Sequence, residues 1–293
     1  MATIAEQLTS LANTKTAIKD AIVAKGVSVA DTDTFASYPA KIAEISGGGA
    51  PATKLGVSID NMIGDVDADG VYSKPTGVIT LDLTGVKTVN YGGFLYRFYR
   101  SSSEISIIAP DLTSVLSEGF QQAFMGATKI TARFDSLEEI TSEAAFDGAF
   151  YGSSYTKPDR DIVFPRLKKI NSNHCFRDCF DGVYVDLDKV FPVLEEIQGN
   201  VCFRGLQTGN TYTFSKVNKI VGGSSKYNGT FYMNYSGTVS INLPSATDVS
   251  GYLCYTSSSY KCNLHFAVAN QAAIEACDGY SYKFGATEIY FDL

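Results

Sequence analysis

The sequence predicts an α+β fold that is mainly β, with a small N-terminal helical module, a solenoid body of repeated turns, and a C-terminal cap of one helix and one strand. Three observations predict it. Apolar residues at helical spacing open the chain. The glycine run Ser46-Gly-Gly-Gly-Ala-Pro51 follows them. After residue 75, pairs of aromatic residues recur at a nearly fixed interval.

The helical module spans 1–46. Ile4, Leu8, Leu11, Ile18 and Ile22 fall on one face of a helix that Gly26 stops. Thr32 or Asp33 can cap a short second helix carrying Phe35 and Tyr38, and Pro39 suits the first turn of a third over Ala40–Ile45. So small a module buries little surface alone, so its apolar stripe is expected to be an attachment or self-association face. The glycine-rich linker covers 47–54 and an aspartate-rich entry segment 55–78.

The body, 79–266, is built on aromatics four apart: Phe94 and Phe98, Phe120 and Phe124, Phe146 and Phe150, Phe176 and Phe180, then Phe203 and Gln207, Tyr227 and Phe231. The first members are separated by 26, 26, 30, 27 and 24 residues. A β-branched aliphatic precedes each pair: Val89, Val115, Ile140, Ile170, Ile197 and Ile220. Before that lies a short apolar alternation such as Ile105-Ser-Ile-Ile-Ala-Pro110. A period in the twenties that begins with a short strand is the signature of a solenoid, in which no turn covers its own apolar face and stacking supplies the core. Six or seven turns are expected from Leu81 to Leu264, each with a helical or bent segment turning its i, i+4 aromatics inward.

The same register explains the cysteines. Cys175 and Cys202 directly precede a first aromatic, where the earlier repeat has Ala145, and Cys179 stands where earlier repeats have Ala123 and Ala149. Small apolar slots in a stacked core suit reduced cysteine. Disulfides, or a zinc site begun by His174, Cys175 and Cys179, are the competing readings.

Arg166-Leu-Lys-Lys-Ile-Asn-Ser-Asn-His-Cys-Phe-Arg-Asp-Cys-Phe180 and Leu137-Glu-Glu-Ile-Thr-Ser-Glu-Ala-Ala-Phe-Asp-Gly-Ala-Phe150 resemble the BspA-like leucine-rich repeats of bacterial surface proteins, so the body is expected to be leucine-rich-repeat-like. Leu11–Phe35 is similar to the N-terminal helical module of bacteriophage tail, fibre and other virion appendage proteins. Leu264–Tyr280 with Ile289–Leu293 is similar to the closing segment of phage and prophage repeat proteins. The resemblance implies a structural virion protein, assembled in a bacterial cytoplasm. It would contact other virion proteins through 1–46 and a host-surface polysaccharide or protein through its repeats. Fibres of this kind are commonly homo-oligomers, with a trimer favoured. The cap, 267–293, is expected to bury Ala272, Ala273, Ile274 and Cys277 from a helix and to add Ile289–Leu293 as a last strand, with Tyr280 and Tyr282 over the solenoid's end.

Gly64-Asp-Val-Asp-Ala-Asp-Gly70 places Asp65, Asp67 and Asp69 as the first ligands of a calcium loop, but the twelfth position is Thr76 rather than glutamate. An aspartate-rich turn at the start of the body is the simpler reading. Catalysis finds little support. His174 and His265 are the only histidines, and Glu138-Glu139 and Glu195-Glu196 recur at equivalent repeat positions, as on a solvated edge. Asp178, Asp181, Asp186 and Asp188 are dense without an evident geometry. Non-enzymatic display is the expectation, without a cofactor. A polysaccharide-cleaving appendage enzyme working through paired carboxylates is the alternative. Tyr232, Tyr235, Tyr252, Tyr255 and Tyr260, set among Ser, Asn and Gly, are the candidate adhesion surface.

Composition narrows the partners. A net charge of −7 with no long basic run argues against nucleic acid. Apolar residues make up 45% and charged residues 19% of 293, enough for a sizeable core. No run of apolar residues is long enough to insert in a membrane, and the opening Met1-Ala-Thr-Ile-Ala-Glu6 lacks the features of a signal peptide.

Overall fold

The computed structural model describes residues 4–23, 29–30, 32–38, 78–99, 104–152, 159–232 and 236–293. The chain divides into two compact units, 1–52 and 53–293.

In the first unit, α1 (Ile4–Val23) is a 20-residue helix. Its apolar stripe is used unevenly. Ile22 packs with Val29 and Tyr38, and Ile18 lies against that cluster, whereas Ile4, Leu8 and Leu11 are exposed. The expected second helix is a single 3-10 turn, Phe35–Ser37. The expected third helix, the linker and Asp65, Asp67 and Asp69 lie outside the described residues.

The second unit is a parallel β-solenoid of about eight turns between 79 and 291. In chain order the turns are led by β1 (Val78–Asp82) with β2 (Thr88–Val89), β3 (Glu104–Ile108) with β4 (Ser114–Val115), β5 (Lys129–Arg133) with β6 (Glu139–Ile140), and β7 (Asp159–Val163) with β8 (Lys169–Asn171). The short helix α2 (Leu187–Val190) with β9 (Glu196–Gln198) makes the fifth turn. Then follow β10 (Thr211–Thr213), β11 (Lys219–Val221) and β12 (Phe231–Tyr232), and β13 (Gly237–Leu243), β14 (Asp248–Ser250) and β15 (Cys254–Tyr255). The eighth turn holds β16 (Tyr260–Phe266) and the helix α3 (Gln271–Glu275), and β17 (Glu288–Phe291) closes the chain. The count exceeds the six or seven expected because the cap completes a turn of its own.

Leading strands stack into sheets β1-β3-β5-β7 and β10-β13-β16-β17, every pair parallel. In the fifth turn α2 takes the strand's place. Asp186 accepts from the N–H groups of Asp188 and Lys189 at 3.1 and 3.3 Å, capping a helix whose Leu187 and Val190 are buried. The second face, β14-β11-β9-β8-β6, carries the aliphatic column the sequence predicts. Ile140 pairs with Ile170, Ile170 with Ile197, Ile197 with Ile220 and Ile220 with Val249, while Val89 pairs with Val115 in β2-β4.

The third face is bent rather than helical. Alternate N–H groups leave their own turn: Phe94 donates to Gly119 O at 2.8 Å, Tyr96 to Gln121 O at 3.2 Å and Phe98 to Ala123 O at 2.8 Å. Every fourth residue is left-handed, as at Glu118, Gln122 and Gly126. That period returns side chains i and i+4 to the same side without a helix, which turns the paired aromatics into the core. They stack between turns. The ring centroids of Phe94, Phe120, Phe146, Phe176, Phe203 and Phe231 are successively 5.0, 5.2, 5.3, 5.8 and 6.0 Å apart. Phe98, Phe124, Phe150 and Phe180 form a second column at 5.6, 5.9 and 6.4 Å. A third column, Phe134, Phe164 and Phe191 at 4.6 and 5.4 Å, meets the first edge-on.

Two details depart from the sequence register. Phe231, not Tyr227, continues the first column, and Tyr227 is exposed. In the cap, Ile274 is buried and Cys277 half-buried, but Ala272 and Ala273 face solvent, because α3 is only five residues long and presents a single side inward. Phe284 seals the end instead, with its N–H bonded to Gly279 O at 2.9 Å and its carbonyl accepting from Leu253 N–H at 2.8 Å.

Candidate functional site

The sequence offers three sets of candidates: the α1 stripe, the tyrosines and the titratable groups. On α1 the apolar positions advance by alternating steps of four and three, Ile4, Leu8, Leu11, then Ile18 and Ile22, with Lys15 between. That is the spacing of the narrow apolar seam by which paired helices meet. Its front half has no apolar cover among the described residues, since Ile4 is 78%, Leu8 61% and Leu11 54% exposed.

The tyrosines separate into two groups. Tyr255 is central to the first: Tyr232 stacks on it at 4.6 Å, and Tyr227 and Tyr260 lie tilted at 5.9 and 6.0 Å. The Arg204 guanidinium covers Tyr232 at 5.9 Å, and the Lys226 ammonium lies over Tyr227 at 5.1 Å. Stacking hides much of the facing surfaces of Tyr232 and Tyr255, and both rings are half-buried. Burial pushes the Tyr232 hydroxyl up in pKa, and the charge of Arg204 partly opposes it. Tyr252 stands apart, stacked on Tyr282 at 4.5 Å. Tyr235 lies outside the described residues.

Charged side chains on the body are largely paired between turns. Along the second face Glu139, Lys169, Glu196, Lys219 and Asp248 occupy one register column of alternating sign, with Lys169 Nζ 3.4 Å from Glu196 and Lys219 Nζ 3.8 Å from Asp248. Glu138 pairs with Arg166. Buried Asp147 accepts from Gln121 Nε2 at 2.9 Å and from Arg177 Nε at 3.1 Å, one turn to either side. The aspartates without an evident pattern in sequence also have structural work. Asp178 pairs with Arg204 at 2.9 Å, and Asp188 accepts from Ser215 N–H at 2.6 Å. His174 Nδ1 is 3.1 Å from Glu143, and His265 Nδ1 is 3.0 Å from Asp292 while stacking on Tyr290.

Arg160 is the unusual cation. It stands in register with Ile130, at a position that faces the core in neighbouring turns, and donates to the carbonyls of Phe150, Asp159 and Ala127 at 3.1, 3.0 and 2.8 Å. Burial lowers its pKa to about 10. Nothing in the short alternation of its strand would have singled it out, because Arg at that register reads as an outward residue.

All six cysteines are free thiols, and all but Cys277 are buried. Burial raises the Cys175 and Cys179 thiols well above their usual range and Cys202 to about 12. Among the described residues no three His, Cys, Asp or Glu side chains converge as a metal site would require, and no helix is long and apolar enough to cross a membrane. No protein-family model, curated protein or solved structure matches the chain.

Proposed function

We propose that this chain is a non-enzymatic structural protein of a bacteriophage appendage, on a tail or head fibre. Residues 1–46 attach it to other virion proteins. The leucine-rich-repeat-like body is displayed for contact with the host surface or with neighbouring virion proteins. The observation that carries this reading is the front of α1, where Ile4, Leu8 and Leu11 lie exposed in a unit separate from the solenoid. The repeat and end-segment resemblances supply the class of particle. Further support comes from the body, where several carboxylates pair with cations of neighbouring turns, Glu196 with Lys169, Asp248 with Lys219 and Asp147 with Arg177.

The test is incorporation. Particles lacking the protein are complemented with the full chain, with a chain lacking residues 1–46, or with Leu8→Asp/Leu11→Asp. The full chain is expected to enter particles and the other two to stay in the soluble fraction with their bodies folded. Normal incorporation of the truncated chain removes the attachment assignment. Release of oligosaccharide from host-surface polysaccharide by the purified protein would replace display with catalysis.

A further inference from the structure

The outer side of the second face carries two side-chain columns of opposite character. One is the alternating charge column described above, in which Lys169 pairs with Glu196 and Lys219 with Asp248. Beside it runs Thr141, Asn171 and Gln198, one residue per successive turn. Asn171 is in register with Gln198, and Thr141 follows Ile140, the partner of Ile170. None of these three side chains makes a hydrogen bond among the described residues, so their amide and hydroxyl groups are open to an outside partner.

They lie along a trough. A hollow of about 490 Å³, lined by Ser114, Ser136, Glu139, Thr141 and Arg166 among others, meets at Thr141 a second of about 390 Å³, lined by Thr141, Glu143, Asn171, Asn173 and Gln198 among others. The two hollows share Thr141 and follow one another across successive turns, which are spaced about 4.8 Å apart as in any β ladder. The trough's length along the axis suits an extended chain better than a compact molecule. Its lining of hydroxyls and amides offers little to an apolar ligand. Its charge also selects. The carboxylates of Glu138, Glu139 and Glu143 outnumber the single guanidinium of Arg166, on a chain of net charge −7, so acidic polymers are disfavoured.

We infer that this trough binds a neutral, hydroxyl-rich polysaccharide strand laid along the solenoid axis, with Thr141, Asn171 and Gln198 hydrogen-bonding successive sugar units. The inference deepens the display reading by naming what the body contacts, and it places that contact away from the tyrosine cluster. Migration of the full chain in native gels containing dextran, mannan or the polyuronate alginate tests it, with dissociation constants taken from the retardation. At least one neutral polymer is expected to retard the protein, and alginate is not. The exposed-site variant Asn171→Ala/Gln198→Ala is expected to raise the dissociation constant at least ten-fold at an unchanged melting temperature, while Tyr255→Ala leaves it unchanged. Retardation by neither neutral polymer overturns the inference, as do equal retardation of the double variant and stronger retardation by alginate. The attachment assignment rests on residues 1–46 and not on these, so the trough and the attachment assignment fail separately.

Discussion

Phe146 sits where the ring columns of the solenoid meet. It is fully buried, stacked between Phe120 and Phe176 at 5.2 and 5.3 Å, and touched by Phe134, Phe164 and Phe150 at 5.3, 5.2 and 6.2 Å. Phe146→Ala removes a ring from the middle of three columns. The gap cannot close, because the turns on either side are held apart by ladder bonds, Phe120 N–H to Ala145 O and Phe146 N–H to Cys175 O, each 2.9 Å. Loss of a buried Phe costs about 3–5 kcal/mol, rising with the cavity left behind, so a site that cannot relax belongs at the top of that range. Phe94 is equally buried but stacks on Phe120 alone among the described rings, at 5.0 Å. Its replacement by Ala belongs near about 3 kcal/mol. At ~2–4 °C per kcal/mol for a body of this size, Phe146→Ala lowers the melting temperature by about 10–20 °C. Urea and thermal unfolding followed by circular dichroism measure both variants. A cost for Phe146→Ala below about 2 kcal/mol, or no greater than that for Phe94→Ala, would refute the claim that interlocked ring columns hold the turns together.

Other substitutions probe single features. Gly199 and Gly85 both have positive φ, but a Cβ on Gly199 would stand 2.2 Å from Ser172 O, while one on Gly85 meets nothing within 4 Å. Gly85→Ala should therefore cost about 1 kcal/mol in chemical denaturation, and Gly199→Ala several-fold more; equal costs would show that the approach between turns relaxes freely. A thiol reagent at pH 8 should modify Cys277 in the folded protein and the five buried cysteines only on denaturation, since burial both shields them and suppresses the thiolate; rapid reaction of more than one thiol contradicts this. Asp111 accepts from Gly85 N–H at 2.9 Å and from Lys87 at 3.2 Å, which holds its carboxyl below the usual 3.8. A depressed folded-state pKa gives stability that is present above 3.8 and lost as pH falls through the lower folded value. Asp111→Asn should thus reduce the stability difference between pH 7 and pH 3, and an unchanged difference would remove that role.

Much of the body was legible from spacing alone, because a stacked turn must put like residues over like. The aliphatic column from Val89 to Ile220 and the first four aromatic pairs sit where their period places them, and the cysteines occupy the small slots that Ala145, Ala123 and Ala149 marked. The period failed where the chain changed the length of a turn. From Phe203 the column resumes at Phe231, 28 residues on, and Tyr227, four residues earlier, is exposed. The next occupant of that column is Cys254, partner of Phe231 in β15, which carries no aromatic signal at all. The third column was missed for a related reason. Its Phe134 and Phe164 follow strands and its Phe191 follows α2, but the same place holds Leu83 and Ala109 in the first two turns.

The sequence by itself determined that most of this protein is a stack of short strands, since a repeated apolar pattern too short to bury itself has only stacking as an outlet. Tertiary structure alone decided how the outer side chains share their partners. Asp147, Asp178 and the alternating charge column find their partners one turn away, at sequence separations between 26 and 30 for the pairs within hydrogen-bonding reach. Thr141, Asn171 and Gln198 are left open beside them. Hydrogen bonds and ion pairs between turns depend on which residue the ladder register sets alongside which, and that register exists only once the turns are stacked.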